Sequence, residues 1–269
     1  MCLLIFAHQL SADYPLMVAA NRDEFHARPT APAAFWSEYP GLLAGRDLEQ
    51  GGTWMGVTRE GRFAAVTNYR DPDATITAPR SRGELPLEYL AGRKTPAAYL
   101  ADLAKRGNEY AGFNLLVGDR GSLWYFANSG GQAPGALAPG LYGLSNARLD
   151  TPWPKVERGK AMLLSLQHGD GVSHDGLAQL VADRTRADRH SLACQGLNGT
   201  MDQALSAQFI VTEGYGTRSS TTLWTEGSGR THWRELSFGA GGELNGARTE
   251  VLEPQSRSVR TRLKPPGCG

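Results

Sequence analysis

The apolar positions of this chain fall in short runs separated by polar turns, which is typical of β-strands. Residues 2–7 form an unbroken apolar run, as expected for a strand covered on both faces, and residues 16–20 form a second run. The polar stretch between them suits a hairpin with its loop at residues 9–14. Antiparallel neighbours bring the end of one strand beside the start of the other. We therefore expect the polar residues 21–24, which follow the second run, to lie beside Cys2.

Further hairpins and a group of helices follow along the chain. The pattern predicts paired strands at residues 53–57 and 63–67, at 113–117 and 122–126, and at 221–225 and 231–236. Helices are predicted from Thr95-Pro96 to about residue 106, at 154–166 and at 176–183. Strands, then helices, then strands indicate an α+β fold with antiparallel sheets rather than alternating βαβ units.

Composition narrows the class of protein. The 269 residues are 41% apolar and 20% charged with a formal net charge of +1, so neither nucleic acid nor an anionic membrane is an expected partner. No run approaches the roughly 18 apolar residues of a membrane span, and the predicted location is cytoplasmic. We expect residues 1–253 to form one domain and residues 254–269, with four cationic side chains and no acid, to form a mobile basic tail. The oligomeric state stays open.

The cysteines and histidines give no sign of a metal site. Cys2, Cys194 and Cys268 are an odd number without a closely spaced pair, which argues against a disulfide framework and a cysteine-rich zinc site. The six histidines occur singly, without the two-histidine pattern of a zinc protease. We expect no metal.

Cys2 is the best placed of the three cysteines. Methionine aminopeptidases remove Met1 when the next side chain is small, and Cys2 would then carry a thiol and a free α-amine. The amine titrates near pH ~8 and the thiol near ~8.5 in unperturbed form, so the amine can serve as the local general base. A guanidinium from Arg22 would lower the pKa of the thiol, and Asp23 could hold the protonated amine.

Acyl transfer also needs hydrogen-bond donors directed at the developing oxyanion. Asn68 and Asn146 each end an apolar strand pattern, where an amide has no packing role, and are the candidates for these donors. Each of these features has a simpler explanation, since a second-position cysteine can be a plain strand residue and asparagines commonly form turns. The joint pattern favours chemistry, because each piece supplies a role that the others require.

Several segments together resemble the NRDE family, also called the transport and Golgi organisation protein 2 family. The matching segments, in the expected order, are residues 1–5, 21–25, 51–56, 67–70, 143–146 and 215–220. This family is in turn similar to cysteine amino-terminal-nucleophile (Ntn) hydrolases of the penicillin V acylase and bile salt hydrolase type. The resemblance implies a four-layer αββα sandwich of two antiparallel sheets between two helical layers.

The resemblance also implies roles for individual residues. Cys2 corresponds to the nucleophile, Arg22 to the arginine after the second strand, and Asn68 and Asn146 to the two asparagines near the acyl carbonyl. Arg218 is a looser match to a late arginine. In those hydrolases two residues separate the arginine from the aspartate, so here either Asp23 or Glu24 could be the acid that faces Cys2.

Two functions and an inactive scaffold remain as alternatives. The first is hydrolysis of an amide or a thioester through an acyl-Cys2 intermediate, which requires no cofactor. The second, implied by the resemblance, is binding or trafficking of haem or an acyl-coenzyme A, with haem as a ligand rather than a catalyst. Haem would need Cys2, His8 or His26 as its axial ligand, and coenzyme A would need cations, for which the candidates are Arg22, Arg46, Arg70 and Arg218. Further candidates for substrate contacts are Asn21, Glu24, Trp54, Tyr69 and Arg70.

Three glycines and one tryptophan have expected structural roles. Gly51, Gly52 and Gly216 are interpreted as turn or close-approach glycines rather than a phosphate cradle, because no glycine-rich loop opens a helix there. Trp54 lies in a strand pattern and is expected in the core or in a cavity wall.

Overall fold

The structure, a computed structural model, describes residues 2–70, 78–166, 172–195, 197–199 and 201–255. The strands of the described chain are β1 (Cys2–His8), β2 (Leu16–Phe25), β3 (Thr30–Trp36), β4 (Tyr39–Asp47), β5 (Met55–Thr58), β6 (Phe63–Asn68), β7 (Phe113–Gly118), β8 (Leu123–Ala127), β9 (Gly135–Ala136), β10 (Gly140–Leu144), β11 (Tyr215–Thr225), β12 (Thr231–Phe238) and β13 (Leu244–Leu252). The α-helices are α1 (Glu84–Ala91), α2 (Pro96–Ala104), α3 (Pro154–Leu166), α4 (His174–Gln179), α5 (Arg189–Ala193) and α6 (Asp202–Leu205).

The strands form two antiparallel sheets. The first has the spatial order β10-β1-β2-β11-β12-β13, and the second has the order β3-β4-β5-β6-β7-β8-β9. The predicted pairs β1–β2, β5–β6, β7–β8 and β11–β12 all form. Antiparallel pairing throughout and segregated helices confirm the predicted α+β class.

Three clusters of buried apolar side chains separate four layers. The central cluster lies between the sheets and includes Leu4 and Phe6 from β1 with Leu43 and Leu116 from the second sheet. The second cluster joins the outer face of that sheet to α1 and α2, and the third joins the outer face of the first sheet to α3 and α4. Helices therefore cover both outer faces, which gives the αββα sandwich. In the described part of the chain, no helix has the length and apolar character needed to cross a membrane.

Strand β1 shows why the first residues are apolar without interruption. Leu4 and Phe6 face the core between the sheets, whereas Leu3 and Ile5 face α3. Gly159 lets α3 approach closely, because a Cβ there would lie 2.6 Å from Cγ1 of Ile5. Both faces of the strand are covered, as predicted, and its first residue is held at the edge where the two sheets meet.

The structure corrects several element boundaries. Residues 21–24 do not follow the second strand but continue it, because β2 extends to Phe25 and pairs along this polar stretch with β11. Helix α3 has the predicted bounds and α2 begins after its Thr95 cap, while the predicted helix 176–183 is α4 at His174–Gln179. Helix α1 and strands β3 and β4 were not predicted. Most of the predicted basic tail, residues 256–269, lies outside the described residues.

Candidate active site around Cys2

Cys2 begins β1 and lies directly opposite Arg22 of β2 in the antiparallel register. Its side chain is partly exposed on the wall of a cavity of about 440 Å³ that opens at the meeting point of the two sheets. The cavity is lined by Cys2, Arg22, Asp23, Glu24, Arg28, Asp47, Gln50, Thr53, Trp54, Val66, Asn68, Ala78, Pro79, Arg80, Ser81, Arg82, Gly83 and Ala111. Its volume falls within the range typical of small-molecule sites.

Arg22 is held on the cavity wall by Trp54. The guanidinium carbon lies 4.3 Å from the centroid of the indole ring, and Nη1 donates a hydrogen bond to Oγ1 of Thr30 at 3.1 Å. The indole itself depends on Gly45, where a Cβ would lie 2.2 Å from the ring. Burial lowers the pKa of Arg22, while the nearby Cys2 and Glu24 act in the opposite direction. The arginine side chain is thus fixed beside the sulfur by stacking and hydrogen bonding.

Asp23 occupies the opposite side of the same strand. Its Oδ1 accepts a hydrogen bond of 2.7 Å from Oγ1 of Thr217, and its side chain is 2% exposed. Burial raises the pKa of Asp23, and the buried cation of Lys155 counteracts this effect. Lys155 donates from Nζ to the carbonyl of Leu205 at 2.9 Å and lies within electrostatic range of both Asp23 and Cys2.

The structure distinguishes the two candidate acids. Burial raises the pKa of the Cys2 thiol, and the carboxylate of Asp23 raises it further, while Arg22 and the backbone amide of Asp23 lower it. Glu24 instead lies with Oε2 4.0 Å from Nη2 of Arg22, at the more exposed side of the cavity. Asp23 is therefore the acid that acts on Cys2, and Glu24 is a partner of Arg22. The net effect keeps the sulfur as a thiol until a base removes its proton.

The two asparagines lie in different environments. Asn68 lines the cavity, whereas the side chain of Asn146 is fully buried. Nδ2 of Asn146 donates to the carbonyl of Asn68 at 2.9 Å, and its Oδ1 lies 3.1 Å from the hydroxyl of Ser145. That hydroxyl also donates to the carbonyl of Cys2 at 2.9 Å. Asn146 thus ties the chain after β10 to the ends of β6 and β1.

The comparisons with known proteins identify the family. The family model described as Transport and Golgi organisation 2 matches residues 1–239. The chain belongs to this family. It is 36% identical over 241 residues to the Bos taurus transport and Golgi organization protein 2 homolog, covering 84% of this chain and 87% of that protein. The Homo sapiens homolog is 34% identical over the same length and coverage.

Solved structures with similar coordinates are distant in sequence. A Caenorhabditis elegans N-acylethanolamine-hydrolyzing acid amidase ortholog shares 8% identity, with 82% of this chain and 92% of that chain covered and a TM-score of 0.48. A conjugated bile acid hydrolase variant from Clostridium perfringens shares 11% identity, with 95% and 94% covered and a TM-score of 0.46.

Within the family motif at residues 21–24, Asn21 is a structural residue. Its Nδ2 donates to the carbonyls of Val181 at 2.7 Å and Gln208 at 2.8 Å, and its Oδ1 accepts from Ser220. The side chain therefore faces the helical layer behind the first sheet and does not line the cavity. This corrects the prediction of a substrate contact at Asn21.

Other candidates from the family pattern also have partners elsewhere. Arg70 forms a two-point ion pair with Asp202, and Tyr69 is not among the residues that line the cavity. Nη1 of Arg218 donates to the carbonyls of Phe25, His26 and Arg28, so it braces the turn between β2 and β3. The side chains of Arg70, Arg218 and Asn146 thus bind protein groups rather than line the cavity, and the predicted substrate contact of Tyr69 stays a prediction.

The candidate ligands for haem and coenzyme A are similarly dispersed. His8 lies at the other end of β1, and the ring of His26 contacts the carbonyl of Thr212 at 3.1 Å. Arg46 pairs with Glu38 at 2.7 Å. Of the predicted haem ligands and coenzyme A cations, Cys2 and Arg22 are the ones that line the cavity.

Sequence reasoning missed a second group of cations. Arg28, Arg80 and Arg82 line the cavity, and Lys155 lies behind Asp23. The segment from Arg80 to Gly83 precedes α1 and reaches the cavity because its backbone touches Gly52, where a Cβ would lie 2.4 Å from the Gly83 carbonyl. The sequence around Arg80 and Arg82 did not indicate this contact, because the helix that follows them was itself not predicted.

Proposed function

We propose that the cavity is the active site of a cysteine hydrolase that cleaves an amide or thioester acyl bond through Cys2. The observation that carries the proposal is the position of Cys2. Its sulfur lies on a cavity wall, with Arg22 opposite it in the register and the amide and carboxylate of Asp23 within interaction range. Membership of the family is compatible with this function.

The reaction requires removal of Met1, which frees the α-amine of Cys2. The amine accepts the thiol proton, and the sulfur forms a bond to the acyl carbon, giving a tetrahedral intermediate. The carbon–nitrogen or carbon–sulfur bond then breaks, and the leaving group takes the proton from the amine. Water hydrolyses the resulting thioester, which releases the acid and restores the thiol. Arg22 favours the transient thiolate, and Asp23 favours the protonated amine.

The negative oxygen of the tetrahedral intermediate needs nearby donors. Asn68 and Gln50 both carry side-chain amides on the cavity wall, and the hydrogen bond from Asn146 to the Asn68 carbonyl fixes the backbone at Asn68. We assign Asn68 as the oxyanion donor and Asn146 as a positioning residue. Loss of one such donor typically costs about 10²–10³ in rate.

Intact mass spectrometry tests the hydrolase function. Protein made in its native host should lack Met1, and incubation with a panel of acyl amides and acyl thioesters should add one acyl group at Cys2 and release free acid. Cys2→Ala is the matched control, because alanine also permits removal of Met1 but supplies no sulfur. A wild-type protein that lacks Met1, forms no adduct and releases no acid across the panel contradicts the proposal.

Binding without bond cleavage is the second candidate function. It is favoured by the arginines of the cavity wall, Arg22, Arg28, Arg80 and Arg82, because guanidinium groups bind the phosphates of a ligand such as coenzyme A. Under this alternative the cavity would hold haem through Cys2, or an acyl-coenzyme A through its arginines. Titration with haem should give a Soret shift that Cys2→Ala abolishes, and acyl-coenzyme A should bind without release of free acid. The absence of both signals contradicts carriage.

A further inference from the structure

The arginines that line the cavity differ in whether an acidic side chain lies close to them. Arg28 is paired with Asp47 at 2.8 Å, and Nη2 of Arg22 lies 4.0 Å from Glu24. Arg80 is surrounded by three carboxylates outside the cavity, those of Glu84 at 2.7 Å, Glu88 at 3.0 Å and Glu109 at 3.1 Å. Each of these arginines therefore has an acidic side chain within ion-pair distance.

Arg82 differs from the other arginines of the cavity. Within the described part of the chain its side chain makes one hydrogen bond, from Nη1 to the carbonyl of Gly112 at 3.0 Å, and no ion pair. Burial lowers the pKa of Arg82, with Cys2 and Glu24 as the nearby groups that oppose this effect. A partly buried guanidinium normally has a carboxylate or phosphate partner, because desolvation of a charge without one is costly.

Arg82 also lines the same cavity as the reactive residue, Cys2. It lies on the wall formed by the segment before α1, and the wall formed by β1 and β2 carries Cys2 and Arg22. The contact between Gly52 and Gly83 and the hydrogen bond from the Thr53 amide to the Gly83 carbonyl, at 3.0 Å, fix this wall to the second sheet. A ligand that reaches the sulfur must therefore share the cavity with the Arg82 guanidinium.

We propose that Arg82 is an anion-binding residue that selects substrates carrying a carboxylate or phosphate group close to the acyl carbonyl attacked by Cys2. The selection of substrates rests on the proposed function, whereas the binding of an anion by Arg82 does not depend on turnover. Guanidinium groups bind both kinds of anion through two parallel hydrogen bonds, so carboxylate and phosphate share one recognition chemistry here.

Alkylation of Cys2 measures the anion site without any hydrolysis. Iodoacetate and iodoacetamide react with the same thiolate and differ in charge, so the ratio of their rates cancels changes in the thiol pKa. Arg82→Gln should lower the iodoacetate-to-iodoacetamide ratio about tenfold, as expected for loss of one charge-assisted hydrogen bond. Arg82→Lys should restore part of the ratio. Peptide mass mapping separates Cys2 from Cys194 and Cys268.

Arg80→Gln is the matched control, since it removes an arginine of the same cavity whose donors already serve carboxylates. We expect its ratio to fall much less than that of Arg82→Gln, because the carboxylates that pair with Arg80 lie outside the cavity. Competition by acetate or by inorganic phosphate against iodoacetate then shows which anion the site prefers. An unchanged ratio in Arg82→Gln, an equal fall in Arg80→Gln, or no alkylation of Cys2 by either reagent overturns the proposal. A lowered ratio in a protein that hydrolyses no acyl compound supports the anion site and contradicts only the hydrolase function.

Discussion

Arg22 and Asp23 are adjacent in β2, and successive residues of a strand point to opposite faces of the sheet. Arg22 therefore stacks on Trp54 towards the second sheet, while Asp23 accepts its hydrogen bond from Thr217 on the other face. Cys2 starts the neighbouring strand β1, so Arg22 can interact with it from one face of the sheet and Asp23 from the other. The adjacent spacing thus lets the guanidinium act on the sulfur and the carboxylate act near the backbone nitrogen.

Asp23→Asn should separate these two effects. The amide keeps an oxygen for the Thr217 hydroxyl but removes a negative charge that raises the pKa of the Cys2 thiol. The pH midpoint of Cys2 alkylation by iodoacetamide should therefore fall by about half to one pH unit. Acyl turnover should nevertheless decrease at least about tenfold, because the protonated amine loses its anchor.

Glu24→Gln provides the comparison for this prediction. Glu24 is near Arg22 and is more exposed than Asp23, so its loss should move the alkylation midpoint less. A midpoint that rises in Asp23→Asn, or that shifts equally in both variants, contradicts the assignment of Asp23 as the acid beside Cys2.

Some of the site residues could be predicted from their residue type and their position at the end of an apolar run. Arg22, Asp23 and Asn68 follow apolar strand patterns, so their polarity at a strand end marks them. Asn146 has the same signature, yet its amide is used to hold the Asn68 carbonyl. A sequence shows that an amide is misplaced for packing, but its hydrogen-bond partner depends on long-range contacts.

At the scale of elements, helix α1 positions the cation-bearing wall of the cavity and depends on tertiary contacts. It has eight residues with Pro86 in its first turn, and Gly83 gives it no side-chain cap. Helices this short are marginal in isolation, so α1 is stabilised by burial of Leu85, Tyr89 and Leu90 against the second sheet. Strand β3 was not predicted for a related reason. It contains Pro32, and a proline is tolerated in this strand because β3 lies at the edge of the second sheet.

Gly52→Ala should displace α1 and the wall that precedes it. The added Cβ would lie 2.4 Å from the backbone carbonyl of Gly83, and backbone at both positions leaves little room to adjust. We expect the free energy of unfolding to decrease by about 1–3 kcal/mol and the iodoacetate preference of Cys2 to decrease as Arg82 moves.

Gly246→Ala is the control for this substitution, because no atom lies within 4 Å of a Cβ at that strand position. Chemical denaturation should show little change for Gly246→Ala. Equal stability of the two variants would contradict the close contact between the segment before β5 and the segment before α1.

At the scale of the whole molecule, the sandwich could be predicted from strand patterns and family segments, but the pairing of distant strands could not. The apolar runs specify local hairpins, since short turns join their strands. The contact of β2 with β11 joins residues that are between 190 (Tyr215 and Phe25) and 209 (Thr225 and Leu16) positions apart, and it includes a register shift between Thr217 and Ser219. Asn21 and Arg22 also pair with β1, and the hydroxyl groups of Thr217 and Ser220 on β11 donate to the side chains of Asp23 and Asn21.

The interface between the sheets contains a carboxyl group that couples its stability to pH. Glu235 of β12 is 1% exposed, and its Oε1 accepts a hydrogen bond of 2.7 Å from the amide of Ala33 in β3. Burial raises the pKa of Glu235 from 4.5 to about 7, so the folded state binds a proton that the unfolded state has released between these pH values. Stability should therefore fall as the pH rises from about 4.5 to about 7, by at most about 3 kcal/mol, and change little from this group outside that window.

Glu235→Gln tests this coupling, because glutamine keeps an oxygen for the Ala33 amide and does not titrate. The unfolding free energy of the variant, measured by denaturation at a series of pH values, should equal or exceed that of the wild type at pH 7 and lose the decline between about 4.5 and 7. The difference between the two proteins isolates this group from the other carboxylates, most of which are exposed or ion-paired. A wild-type and variant pair with parallel pH profiles would show that Glu235 does not retain its proton, and that the charged form is tolerated between the two sheets.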